Sequence, residues 1–126
     1  MTDPQRQALA RAVAHYNRGE YLLSQEVLED LHNACEESDR ALVRSLAMIA
    51  CGMHIHFHRG GGRGALNLLR QSLMLLEDLG PECEGVATAA LYDQLRAYVD
   101  DLQDRKRQGA GFFDRWLVPR IRLVDR

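Results

Sequence analysis

The sequence predicts an all-α protein: a compact bundle of about five helices, built from two related helical hairpins, with a C-terminal extension. Three observations carry that prediction. Apolar residues recur at helical spacing, glycine-centred stops interrupt them, and one hairpin signature occurs twice. At 126 residues the chain is one domain, long enough to bury a core.

The first helix starts at Thr2-Asp3-Pro4, where an oxygen-bearing cap precedes proline at the first helical position. Leu9, Ala12, Val13 and Tyr16 form its stripe, and Gly19 supplies a left-handed stop. The second helix runs from about Glu20 to Glu36. Tyr21, Ser24, Leu28, Leu31 and Cys35 face inward, with Gln25, Glu29, His32 and Glu36 on a flanking polar face. Ser38 caps a third helix that continues to about His58. No Asp, Glu, Lys or Arg occurs between Arg44 and Arg59, so this helix belongs in the middle of the bundle. Gly60-Gly61-Gly62 ends it. Residues 64–79 form a fourth helix closed by Gly80-Pro81. A fifth, roughly 88–108, turns Leu91, Leu95, Tyr98 and Leu102 inward before Gly109-Ala110-Gly111. The bundle is thus assigned to 1–108, and 109–126 to an extension packed on the bundle or on a partner.

The repeat pairs His15-Tyr16-Asn17-Arg18-Gly19 with His56-Phe57-His58-Arg59-Gly60, at an offset of 41 residues. At the same offset Ser24 matches Ala65, Val27 matches Leu68, and Leu28 matches Leu69. Its physical content is an aromatic in the last turn, a glycine cap, and a small residue where the next helix crosses. Two units at this period are too few for a solenoid.

Asn17-Arg18-Gly19-Glu20-Tyr21, followed by Glu26-Val27-Leu28-Glu29-Asp30-Leu31, resembles the opening motif of the bacterial family known as domain of unknown function 309. Residues 59–69 are similar to that family's second hairpin, and Pro119-Arg120-Ile121-Arg122-Leu123 to its closing segment. The resemblance implies an all-α bundle without an established activity. Two positions depart from it: Gln25 stands where the family usually has histidine, and His32 where it usually has tryptophan. An amide cannot take up a proton and rarely ligates metals, so Gln25 weakens any catalytic pairing there.

Charge is segregated. Residues 1–40 carry four basic and eight acidic side chains, 41–76 four and none, 77–104 one and eight, and 105–126 seven and two. Alternating blocks of this kind are expected to pair within the fold, whereas a nucleic-acid binder would be basic throughout. Nucleic acid is therefore disfavoured as a partner. No apolar run is long enough to span a membrane, and Met1-Thr2-Asp3-Pro4-Gln5 does not read as a signal peptide. Cys35, Cys51 and Cys83 lack Cys-x-x-Cys spacing, which points to reduced thiols and a cytoplasmic location.

Glu29-x-x-His32 has the spacing of a carboxylate-bridged di-metal helix, but no second such pair exists. His54 and His58 share a helix face at the spacing that grips one metal. In an antiparallel hairpin His32 is level with Val43 and His54 with Tyr21, a separation of roughly 16 Å at about 1.5 Å per residue. His15 lies at the same end as His54. A metal or small-ligand set is therefore His15, His54 and His58, with Glu20 nearby; the bland reading is imidazoles near a helix terminus. Gly60-Gly61-Gly62-Arg63-Gly64 opens a helix but lacks the strand and Lys-Ser/Thr pair of a phosphate loop. No nucleophile motif is present.

Phe112, Phe113, Trp116 and Leu117 make a short amphipathic turn. Ile121 and Leu123 then alternate with Arg120 and Arg122 in an extended register. These groups are expected to dock on the chain's own acidic fifth helix, or else on a partner or symmetry mate. The leading expectation is a non-catalytic cytoplasmic interaction or scaffold module, with a protein partner or self-association and no cofactor. The alternative is a metal- or small-ligand-binding protein or a weak hydrolase. It would use Gln25, Glu26, Glu29 and His32, or a divalent metal at the His15/His54/His58 end.

Overall fold

The computed structural model describes residues 1–58, 63–107 and 118–124. Among them are five helices: α1 (Asp3–Asn17), α2 (Tyr21–Ala34), α3 (Glu37–His58), α4 (Arg63–Glu77) and α5 (Thr88–Arg107). No helix is long and apolar enough to cross a membrane among the described residues.

Thr2, not Asp3, caps α1. Its hydroxyl accepts from Gln5 N while the Gln5 side chain accepts from Thr2 N, a reciprocal box that satisfies two orphan donors. Proline falls inside the first turn, where it removes no helical bond. The far end closes as the sequence predicts. Gly19 adopts φ +81°, Glu20 N–H reaches His15 O at 2.9 Å, and Gly19 N–H reaches Tyr16 O at 2.9 Å. Ser38 does not cap α3; that helix begins one residue earlier, with Asp39 N–H bonded to Glu36 O.

Each helix packs chiefly on its neighbours in sequence, with α3 against both α2 and α4. Leu42, Leu46, Ile49 and Met53 of α3 are fully buried, as an all-round apolar helix must be. The repeat is visible in the packing. Buried Ser24 lets α2 approach α1 and donates to Ala12 O at 2.8 Å. Ala65 does the same for α4 on α3, facing Gly52, where an added Cβ would lie 2.9 Å from Leu69 Cδ2. The last-turn aromatics meet through Tyr21. Tyr16 packs edge-on to it at 5.4 Å between centroids, and Phe57 stacks on it at 5.8 Å.

Between α4 and α5 the chain makes a feature the helical periodicity does not announce. Cys83 and Val86 exchange both backbone bonds around Glu84 (φ +48°) and Gly85 (φ +80°), a two-residue hairpin turn. Val86 then pairs antiparallel with Leu123. The C-terminal segment thereby bridges the hairpin, α1 and α5, and Ile121 joins the common core.

Ion pairs among the described residues involve Glu20, Asp39 and Glu84 on the acidic side. Glu84 faces Arg6 at 3.3 Å, Glu20 faces Arg18 at 2.7 Å, and the Met1 ammonium lies 3.8 Å from Asp39 and 3.9 Å from Glu84. Among the described residues no ion pair joins Arg44, Arg63 or Arg70 to a carboxylate. Arg44 and Arg63 are exposed and Arg70 half-buried, and side-chain entropy competes with so weak a surface attraction.

Candidate functional site

Two shallow clefts include residues that the sequence singles out. The larger, about 550 Å³, lies where the C-terminal segment crosses α1. Ala10, Val13, Ala14 and Asn17 line it from α1, Gln94 from α5, and Arg120 to Leu123 from the segment itself. Among the described residues six hydrogen bonds seat that segment, all on its backbone. Tyr16 Oη donates to Pro119 O at 2.7 Å. Asn17 uses both ends of its amide, donating to Ile121 O at 2.8 Å and accepting from Ile121 N at 3.0 Å. Arg120 N donates to Gln94 Oε1 at 3.2 Å, Ala87 N to Arg122 O at 2.9 Å, and Val124 N to Gly85 O at 2.6 Å. Tyr16 is fully buried, and burial pushes its phenol well above the ordinary value, with Tyr21 and Tyr98 adding to the rise. It therefore stays a donor.

Ile121 is 3% exposed but Leu123 41%, although an extended register puts positions two apart on one face; the expected alternation with Arg120 and Arg122 therefore holds at Ile121 and fails at Leu123. Arg120 and Arg122 are exposed, and neither forms an ion pair among the described residues. Phe112, Phe113, Trp116 and Leu117 lie outside the described residues, as do Gly60, Gly61, Gly62, Gly109, Ala110 and Gly111.

The smaller cleft, about 390 Å³, lies between α2 and α3. Glu29, His32 and Asn33 line it from α2, Arg44 and Ala47 from α3. Gln25 donates to Glu29 Oε1 at 2.9 Å and so fixes the carboxylate at the cleft edge. Glu26 is exposed and is not among the lining residues. The family-like carboxylate pair is therefore divided: one member lines a cleft and the other does not.

The histidines are divided too. His15 Nδ1 lies 3.1 Å from both Glu20 Oε1 and Arg18 Nη2, and a single ring nitrogen serves only one of them at a time. Arg18 first, then His15, holds the Glu20 carboxyl below its usual range. His54 and His58 sit together with ring centroids 5.0 Å apart, as their spacing requires. Among the described residues no three His, Cys, Asp or Glu side chains stand close enough to hold one metal ion. The set His15, His54 and His58 is thus not assembled as a three-ligand centre here; His15 is turned into its own helix-end network. His56 is buried against Phe57 and Tyr98, and desolvation lowers its pKa. Burial likewise raises the thiols of Cys35 and Cys83, which makes them poor nucleophiles.

Sequence reasoning missed Asn17, Gln94 and Arg44. Only Asn17 left a signal. A poor helix former in the last turn, beside a buried tyrosine, has a use for its side chain outside the helix.

Fold and sites together define a class: a small helical protein made of a repeated hairpin, with an extended C-terminal segment fastened across its first and last helices. A sequence model of the family described as domain of unknown function (DUF309) matches residues 9–68, and over that stretch the chain is similar to this family. The matched stretch contains Tyr16, Asn17, Glu29, His32 and Arg44, whereas Gln94 and the C-terminal segment follow it. No curated protein matches the chain.

Proposed function

We propose that this protein is a non-catalytic interaction module of the cytoplasm, holding an acidic, partly apolar segment of a partner protein in the larger cleft. The observation that carries this reading is the combination of an apolar α1 floor with Arg120 and Arg122 at the rim and Leu123 beside them. Two exposed guanidiniums, with no carboxylate partner among the described residues, recruit acidic groups, and the apolar floor rewards an aliphatic side chain between them. The free thiols of Cys35 and Cys83, both with raised pKa, are in keeping with a reducing compartment.

Titration with a labelled acidic amphipathic peptide, read by fluorescence anisotropy, tests the proposal. Charge reversal at Arg120 and Arg122 should weaken binding at least about tenfold, and added salt should weaken it steadily. Equal binding by a charge-neutral version of the peptide, or indifference to the reversal, would sink it.

The smaller cleft favours a second reading as a small-ligand site. Glu29, pinned by Gln25, shares that cleft with Arg44, so one site offers both a carboxylate and a guanidinium. Such a pair suits a molecule bearing an amine and a carboxylate. Free amino acids should then shift the amide NMR signals of residues 29–33 and 44–47. N-acetylated amino acids producing the same shifts would remove this reading.

A further inference from the structure

We infer that the acceptor site for the C-terminal segment is exchangeable between copies, so that Pro119–Val124 of one chain docks on Tyr16, Asn17, Gln94 and the Cys83–Val86 hairpin of another. The segment is bound as a peptide ligand is bound. The six seating hydrogen bonds among the described residues all go to its backbone, four of them from or to bundle side chains and two from or to the backbone of Ala87 and Gly85. This is strand addition, in which main-chain bonds hold the peptide and a few side chains set its register. Ile121 is the principal anchor, 3% exposed, with Pro119 also buried, while Arg120, Arg122 and Leu123 reach solvent.

A second copy meets every one of these demands because it carries the same segment. Exchange makes and breaks identical contacts, so no interaction is lost, and the balance is set by concentration and by the connecting chain. Ten residues separate Arg107 from Val118. Fully extended they reach at most roughly 35 Å, enough to carry the segment to an adjacent molecule. Charge favours the meeting. The 105–126 block has seven basic and two acidic residues, the 77–104 block one basic and eight acidic, and Arg120 and Arg122 form no ion pair among the described residues. A neighbour's acidic fifth helix therefore attracts the incoming segment.

This inference stands apart from the acidic-peptide reading, because it depends on Asn17 and Ile121 rather than on the arginine rim. The experiment is subunit complementation with full-length variants. Asn17→Ala damages the acceptor and leaves the segment intact; Ile121→Asp does the reverse. Each variant alone should be monomeric by light scattering, and the mixture should yield a 1:1 heterodimer by native mass spectrometry. Isotopically distinct wild-type samples, mixed at high concentration, should yield a mixed dimer as well. A mixture that remains monomeric, with both variants folded by circular dichroism, overturns the inference. If either variant fails to fold, the milder pair Asn17→Asp and Ile121→Ser, together with the wild-type mixing, decides in the same way.

Discussion

At the scale of single residues, Asn17 and His56 show how much one side chain can settle. The Asn17 amide pairs with both backbone groups of Ile121, as a neighbouring strand would. Asn17→Ala should lower stability by about 1–3 kcal/mol in urea denaturation, since two partly buried peptide groups lose their partners. Tyr16→Phe should show a smaller loss, about 1 kcal/mol, from the single bond to Pro119. His56 makes a prediction about pH. Burial holds its folded pKa below the ordinary 6.5, so the unfolded chain takes up a proton first as pH falls. Stability from this group is present above about pH 6.5 and is lost as pH drops through the lower folded value. The urea midpoint should therefore fall more between pH 7.5 and 5.5 in the wild type than in His56→Phe. None of these roles could be read from spacing. Asn17 and Ile121 lie 104 residues apart, and the sequence offers no periodicity over such a distance.

At the scale of elements the sequence is far more legible. Helix stops are local chemistry: Gly19 supplies a positive φ, and the two bonds that follow it close the helix without distant help. The crossings at Ser24 and Ala65 were marked by residue size within the repeat. What stayed hidden was the Cys83–Val86 hairpin, because Glu at a positive φ is an unusual turn residue and the run is too short to show alternation. Gly52 marks the tightest crossing. Gly52→Ala gains helix propensity but drives a methyl into Leu69 and against Ala65 O, 3.3 Å away. The net effect should be a loss of about 1 kcal/mol, as overpacking outweighs propensity. In a Leu69→Ala background the same change should become neutral or favourable, and a double-mutant cycle in urea measures the coupling. Half of the candidate chemistry was legible at this scale as well. Glu29 and His32 do line one cleft, but Arg44 comes from the next helix, and helix faces alone do not say which residues oppose them.

At the scale of the whole molecule, charge is arranged in blocks, and the ion pairs given for the described residues lie toward the surface. The 77–104 block concentrates eight carboxylates against one arginine, and the described ion pairs of Glu20 and Glu84 are partly exposed. Screening should then relieve more repulsion than it removes attraction. Melting temperature should rise by a few degrees, about 2–4 °C, between low salt and 0.5 M sodium chloride; a fall would show that attraction dominates. The fastening of the C-terminal segment has a consequence in time as well as in space. A ribosome makes Asn17 long before Ile121, and at about 5–20 residues per second a separation of 104 residues takes roughly 5–20 s. Throughout that interval the amide of Asn17 and the hydroxyl of Tyr16 have only water or a passing chain to bind. The nascent protein therefore waits with its hairpins formed and one docking place vacant, open to whichever extended segment arrives first.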